Sequence, residues 1–320
     1  MFTLFTLPKP FIGHIGIIQR NAIRSWTRLH PDVEILIFGN EEGTAEVAAE
    51  LGVRHIPDVE LNEYGTPRMN GYFKLAEEIA HHPLMCYVNA DIILFPDLIE
   101  AVKRVSLERF MMGGRRTDYD LTVPVDFAQV DWAEKLREDA LKNGVLHGFS
   151  GIDYFVYPRG MFGSIPPFAL GRWYWDNWLC YRVRRLGHPL IDASACVMAI
   201  HQNHDYRHTV GVEQKSVPAS MNASQGGIES FGNRALVETI MMTLEDTDWK
   251  LDEQGLSRNF LWTRWHLLNE AALQAELHDY PCWIQKPLVK LARMQWDRNW
   301  RRRYAGLLAE KPELLQETTA

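Results

Sequence analysis

Short apolar runs alternate with stretches of helical period through the first third of the chain, and the alternation predicts an α/β fold. Residues 2–7 read as a first strand, stopped by Pro8-Lys9-Pro10. Ile15, Ile18, Ala22, Ile23 and Trp26 then recur at helical spacing as far as His30-Pro31, and EILIFGN (34–40) is a β run closed by Gly39-Asn40. TAEVAAELG predicts a helix with Gly52 as its C-terminal stop. VRHI (53–56) reads as a short strand, residues 68–82 as a further helix, and MCYVNADIIL (85–94) as the fourth strand. Strands and helices in this order build βαβ units and a mostly parallel sheet.

Beyond residue 95 the pattern loosens. FMMGGRR (110–116) reads as another strand, followed by a polar, loop-rich stretch to about residue 147, then GFSGIDYFVYPRGMF and the aromatic PPFALGRWYWDNWL. A helix over 176–186 and a strand CVMAI (196–200) precede the His-rich HQNHDYRH. From about residue 230 the chain reads as helices, rich in Trp and ending in a basic cluster from Arg298 to Arg303. We therefore expect a domain over 1–230 and a helical C-terminal region over 231–320 packing on it.

Composition changes this picture little. The 320 residues can bury a full core, with 46% hydrophobic and 23% charged residues as in an ordinary soluble protein. A formal charge of −7 gives no electrostatic reason to expect nucleic acid as partner. Cys86, Cys180, Cys196 and Cys282 show no CxxC spacing and read as reduced core residues. MFTLFTLPKPF has no basic leader or cleavage site, and no apolar stretch reaches bilayer length, so a soluble cytoplasmic protein is expected.

The polar triplet Asn89-Ala90-Asp91 interrupts the apolar fourth strand. A buried aspartate without a partner would cost several kcal/mol, so Asp91 must lie near water at a strand end, be hydrogen-bonded, or hold a cation. Two more polar clusters fall at element ends: Asp176-Asn177, and His201 with His204. A carboxylate and an imidazole brought together make a mixed oxygen and nitrogen site suited to Mn²⁺ or Mg²⁺. In parallel sheets ligands bind beyond the carboxyl ends of the strands, where the triplet lies.

This order of features resembles the GT-A (Rossmann-like) fold of nucleotide-sugar glycosyltransferases, with Asn-Ala-Asp standing where those enzymes carry a DxD motif. WDNWLCYRVRRLGHPLID (175–192) is similar to the acidic block of family-two inverting enzymes, and AIHQ (199–202) to their late histidine. The resemblance covers roughly residues 1–210. It implies a metal-dependent transferase moving a sugar from a nucleotide diphosphate sugar, with UDP-sugar favoured, to a hydroxyl acceptor such as a glycan or small molecule, with inversion.

It also implies roles. Asp91 with His201, or else His204, would hold Mn²⁺ or Mg²⁺, and Asn89 would lie near the ribose or sugar. Thr6, Leu7, Pro8 and Asn40 would contact the base, and Arg68, Asn70 and Lys74 the ribose, sugar or phosphate. Ser150, Gly151 and Asp153 would line the donor sugar and acceptor, with Trp173 and Trp175 as stacking faces. Asp176 would be the general base, for which an ordinary carboxylate pKa suffices at neutral pH.

Plainer readings stand beside these. Asp91 could cap a turn, Asp176 the helix after it, and the histidines could be structural imidazoles. Arg68 and Lys74 could be a solvated helix face, and the tryptophans core. The basic C-terminal cluster fits a helical flank better than a peripheral membrane contact. Two other functions remain in view: a sugar-1-phosphate nucleotidyltransferase, faintly echoed by LPKPF but lacking a glycine-rich loop after the first strand, and a non-catalytic carbohydrate-binding protein on a transferase scaffold.

Overall fold

The computed structural model describes residues 1–204, 227–237, 240–260 and 263–303. In chain order the strands are β1 (Phe2–Thr6), β2 (Glu34–Phe38), β3 (Arg54–Ile56), β4 (Leu84–Val88), β5 (Ile92–Leu94), β6 (Met111–Gly113), β7 (Arg116–Tyr119), β8 (Val145–Leu146), β9 (Tyr154–Pro158), β10 (Leu190–Asp192), β11 (Ala199–Gln202), β12 (Trp249–Asp252) and β13 (Gly255–Arg258). The helices are α1 (Gly13–Trp26), α2 (Thr44–Leu51), α3 (Met69–Ile79), α4 (Asp97–Arg104), α5 (Trp132–Asn143), α6 (Trp175–Arg185), α7 (Gly227–Leu236), α8 (Arg264–Leu277) and α9 (Cys282–Arg303).

The fold is mixed α/β, as the alternation predicts. Nine strands form one sheet in the order β13-β12-β10-β6-β9-β4-β1-β2-β3. Pairing is parallel except around β9, which runs against β4 and β6, and at the β12–β13 hairpin. The central strands are mostly apolar because both faces are covered, with Thr3 and Thr6 of β1 as buried exceptions. Phe2 and Leu4 point into a core with Trp26 of α1, Val47 of α2 and Leu98 of α4, while Phe5 points into a second core with Tyr72 of α3 and Trp178 of α6. Gly52 ends α2 in the left-handed conformation (φ 67°), the role its position predicts.

The site owes its existence to a departure from the expected pattern. MCYVNADIIL is not one strand. The chain leaves the large sheet after β4, turns through Asn89-Ala90-Asp91, and enters β5 of a second sheet ordered β5-β11-β7-β8. FMMGGRR divides in the same way, into β6 of the large sheet and β7 of the small one. Gly114 sits at that crossing, where any Cβ would strike the Tyr154 hydroxyl. Period-two reading cannot separate two short strands joined by a bend, because the apolar residues continue on both sides.

Other differences are local. The stretch expected to be loop-rich carries β7, α5 and β8; Leu136 and Ala140 of α5 are buried and belong to a small core with Phe95 and Ile200, against which Trp132 packs. The late strand spans 199–202 rather than 196–200, so His201 lies within it. Residues after 230 are not all helical: β12 pairs with β10 and extends the large sheet. The cysteines are free, but only Cys86 and Cys180 are buried; Cys282 is exposed. No helix among the described residues is long and apolar enough to cross a membrane. The side chains of the basic cluster from Arg298, and the His-rich segment beyond His204, lie outside the described residues.

Candidate active site

Strand register assembles the centre of the site. In the small sheet His201 of β11 stands between Ile92 of β5, one residue past Asp91, and Asp118 of β7. Asp91 Oδ2 is 3.0 Å from His204 Nε2 and 3.9 Å from His201 Nε2. Asp91, His201 and His204 each offer a ligand atom, all within 4.8 Å of one another. Burial alone would push the Asp91 carboxyl up, but the His204 hydrogen bond, the neighbouring His201 ring and the charge of Lys9 outweigh it and hold it well below the usual carboxylate range. Asp91 Oδ1 is buried and has no hydrogen-bond partner among the described residues. An orphaned carboxylate oxygen beside two imidazoles fits a divalent cation, and this donor set suits Mn²⁺ or Mg²⁺.

Gln202 locks this corner to the large sheet's helices. Its Nε2 donates to Asp91 O (3.0 Å) and Ile18 O (2.7 Å), and its Oε1 accepts from Asn21 Nδ2 (3.0 Å). One residue from Ile18, Gln19 clasps Lys9 by both backbone groups, donating to its carbonyl at 2.8 Å and accepting from its N–H at 2.7 Å. The half-buried Lys9 ammonium is thereby held near Asp91; burial lowers its pKa and attraction to Asp91 opposes that.

A charged network continues from the triplet. Asn89 Nδ2 donates to Asp153 Oδ1 (2.6 Å), and Asn89 Oδ1 accepts from Tyr87 (2.7 Å). Arg116 joins Asp153 Oδ2 (2.7 Å) to Asp118 Oδ1 (2.9 Å), and His147 Nδ1 lies 2.7 Å from Asp118 Oδ2. Asn89 therefore serves as a strut, with both ends of its amide committed.

Asp176 opens α6. The preceding Tyr174, buried, takes a left-handed backbone (φ 87°), a strained conformation for a residue with a side chain. Burial pushes the Asp176 carboxyl up to about 7; the Asp153 charge adds to this, while the Asn177 backbone N–H and Arg116 pull against it. The ordinary pKa expected from sequence is thus replaced by one poised at neutrality. The Tyr87 hydroxyl is raised by burial and then by Asp153, Asp91 and Asp176, so it lies within electrostatic reach of all three carboxylates. Asn177, the neighbour of Asp176, is structural and donates to Met242 O at 3.0 Å.

The remaining sequence candidates divide. Thr6, at the end of β1, is buried with Oγ1 unpartnered among the described residues; Pro8 is buried, Leu7 half-buried and Asn40 exposed past β2. Asn70 Oδ1 is likewise buried without a partner there. Arg68 pairs with Glu63 (3.5 Å) and Glu60 (3.9 Å), and Lys74 points to solvent, 77% exposed, beside Glu78. Ser150 is exposed; Gly151 leaves room for the His147 ring, which a Cβ would strike. Trp173 is half-buried, whereas Trp175 is 5% exposed and ringed by Phe73, Tyr87 and Phe155. Trp175 is core, not a sugar platform, because α6 turns its first indole inward.

Lys9, Tyr87, Arg116, Asp118 and His147 carry no sequence signal that singles them out. Only the pairing of β7 with β11 brings Asp118 to the site.

No protein-family model matches the chain. No curated protein matches it. Among solved structures it is similar to glucosyl-3-phosphoglycerate synthase from Mycobacterium tuberculosis in complex with Mn²⁺, uridine diphosphate and glucosyl-3-phosphoglycerate, at 16% identity over 67% of this chain and 76% of that one, TM-score 0.38. It is also similar to TarS of S. aureus in complex with UDP-GlcNAc, at 9% identity over 74% and 66% of the two chains, TM-score 0.45. Similarity at this level carries no chemistry from those proteins to this one.

Two measurements check the site's physics. Trp175→Ala should cost about 3–5 kcal/mol of unfolding free energy in a denaturant titration, as a core truncation does; a loss under about 1 kcal/mol would place the ring at the surface. An unfolded-chain aspartate releases its proton near pH 4, but Asp176 keeps it to about 7, so the native state holds an extra proton between these values and loses stability as pH rises through them. Relative to the parent, Asp176→Asn should therefore raise Tm at pH 8 and change it little at pH 4. Equal shifts at both pH values would contradict the raised pKa.

Proposed function

We propose that the protein is a metal-dependent glycosyltransferase that moves a sugar from a nucleotide diphosphate sugar to a hydroxyl acceptor, with inversion. The observation that carries this reading is the convergence of Asp91 with His201 and His204, potential cation ligands from two distant parts of the chain, together with the Asp176 carboxyl, which is poised to exchange a proton near pH 7 and acts on the same Tyr87 hydroxyl as Asp91. Fold alone would not support it, since α/β scaffolds host many chemistries.

Asp91, His201 and His204 would hold Mn²⁺ or Mg²⁺, which when bound neutralises charge on the departing nucleotide diphosphate. Lys9, whose backbone is clasped by Gln19 and whose ammonium is attracted to Asp91, is placed to pair with phosphate oxygens. Asp176, ionised, accepts the proton of the acceptor hydroxyl as that oxygen attacks the anomeric carbon. Burial favours the neutral acid after transfer, so proton acceptance is nearly balanced at neutral pH. Thr6, Leu7, Pro8 and Asn40 lie past the ends of β1 and β2, where the base of a nucleotide would rest, and Thr6 has a buried hydroxyl to offer it. Asn70 offers an unpartnered amide oxygen, Arg68 has salt-bridged acids to leave, and Ser150 and Trp173 flank the acceptor side. UDP-sugars are the donors to test first.

Calorimetric titration of UDP with and without Mn²⁺ tests the reading. Binding should require the metal and disappear in Asp91→Ala while Tm is retained; UDP binding that is indifferent to EDTA and to this substitution would sink the assignment. Lys9→Ala should weaken UDP binding by roughly tenfold to a hundredfold, the loss of one hydrogen bond to a charged group. Donor turnover should rise with pH through an apparent pKa near 7 and be lost in Asp176→Asn.

A further inference from the structure

We propose that Asp118 is a positioning residue for His201: its carboxylate, set against Nδ1 by the pairing of β7 with β11, fixes the imidazole tautomer so that Nε2 faces Asp91. The inference rests on the reading of Asp91, His201 and His204 as cation ligands and goes beyond it, because it names the group that makes His201 able to act as one.

Three observations carry it. First, His201 and Asp118 are register partners across parallel strands, and His201 Nδ1 lies 3.0 Å from Asp118 Oδ1. The ring is turned off the line of a well-formed hydrogen bond, and no other described group satisfies Nδ1. What decides the tautomer is therefore charge. A lone pair at 3.0 Å from a carboxylate oxygen is repelled and an N–H is attracted, so the proton sits on Nδ1. Second, His201 is 4% exposed, so water has little access with which to override that preference.

Third, Asp118 is itself held in place. Arg116 donates to its Oδ1 at 2.9 Å and is anchored at its other end on Asp153, while His147 lies 2.7 Å from its Oδ2. The absence of a side chain at Gly151 gives the His147 ring its space. The carboxylate is thus fixed from two sides and cannot swing toward Asp91. With the Nδ1 proton so placed, Nε2 keeps its lone pair on the side of Asp91 Oδ2, 3.9 Å away. Outer carboxylates that orient ligating histidines in this way tune metal affinity by about 10- to 100-fold.

Imidazole ¹⁵N NMR of the metal-free parent protein reads the tautomer directly. Nδ1–H at His201 is expected, moving to Nε2–H or a mixture in Asp118→Asn. Mn²⁺ affinity, measured from the free-ion signal in electron paramagnetic resonance, should fall about 10- to 100-fold in Asp118→Asn and recover in part in Asp118→Glu. His147→Gln, which removes one of the two groups that fix Asp118 but leaves its carboxylate, should lower the affinity by less than Asp118→Asn does. Nε2–H at His201 in the parent overturns the proposal even if Asp118→Asn does not fold. A variant with lower metal-free Tm but unaltered tautomer and Mn²⁺ affinity also overturns it, since that marks a role in folding alone. If the parent binds no Mn²⁺ while the tautomer shift is seen, the cation reading fails and the positioning role stands.

Discussion

The arrangement of the molecule depends on the cost of placing one carboxylate where two sheets meet. Between β4 and β5 the backbone bends out of one sheet into another, and Asp91 occupies the bend with one carboxylate oxygen buried and unpartnered among the described residues. Such a group is tolerated only if positive charge or hydrogen-bond donors surround it. The chain supplies both from distant parts: Gln202 braces its carbonyl, His204 hydrogen-bonds its carboxylate, His201 lies beside it, and the charge of Lys9 offsets its own. His201 and Gln202 lie on β11, His204 just beyond it and Lys9 between β1 and α1, so the electrostatic need of a single side chain and the topology of the small sheet answer one another.

The same logic extends outward. Acidic groups at Asp91, Asp118, Asp153 and Asp176 would repel one another, and Arg116 is the cation that bridges two of them. Only Asp176 is left largely to the low dielectric of its surroundings, and its carboxyl rises to about 7. One patch therefore holds carboxyls with opposed tendencies, Asp91 kept ionised and Asp176 able to take and release a proton. That division of labour is what acid–base chemistry at neutral pH requires.

Much of the large sheet was legible in the sequence, because its strands are apolar on both faces and its helices keep one buried stripe. Strands β1 to β4 and helices α1 to α3 fall where period and punctuation place them. The small sheet was not, since β5, β7 and β8 are two to four residues long and carry too few positions to show a period. Asp91, His201 and His204 could be singled out as a carboxylate and imidazoles at strand ends, and the structure brings them together. Asp118, Arg116 and His147 could not, because charged residues in a loop-like stretch acquire meaning only through cross-strand register. For Trp175 both a stacking face and a core position were open, and its burial decides for the core because it follows from which way α6 faces. The raised pKa of Asp176 could not be read from the sequence, because burial of a helix's first turn is a tertiary property.

The seating of Asp176 also bears on how such a protein can change over evolutionary time. Its neighbour Trp175 is wedged among Phe73, Tyr87 and Phe155, and the strained Tyr174 precedes it, so the backbone that aims the acid is part of the aromatic core. Mutational drift near α6 is penalised by misfolding before any new chemistry can be sampled. Substitution is thereby channelled into exposed positions such as Ser150, leaving the backbone that seats Asp176 as an inherited constant.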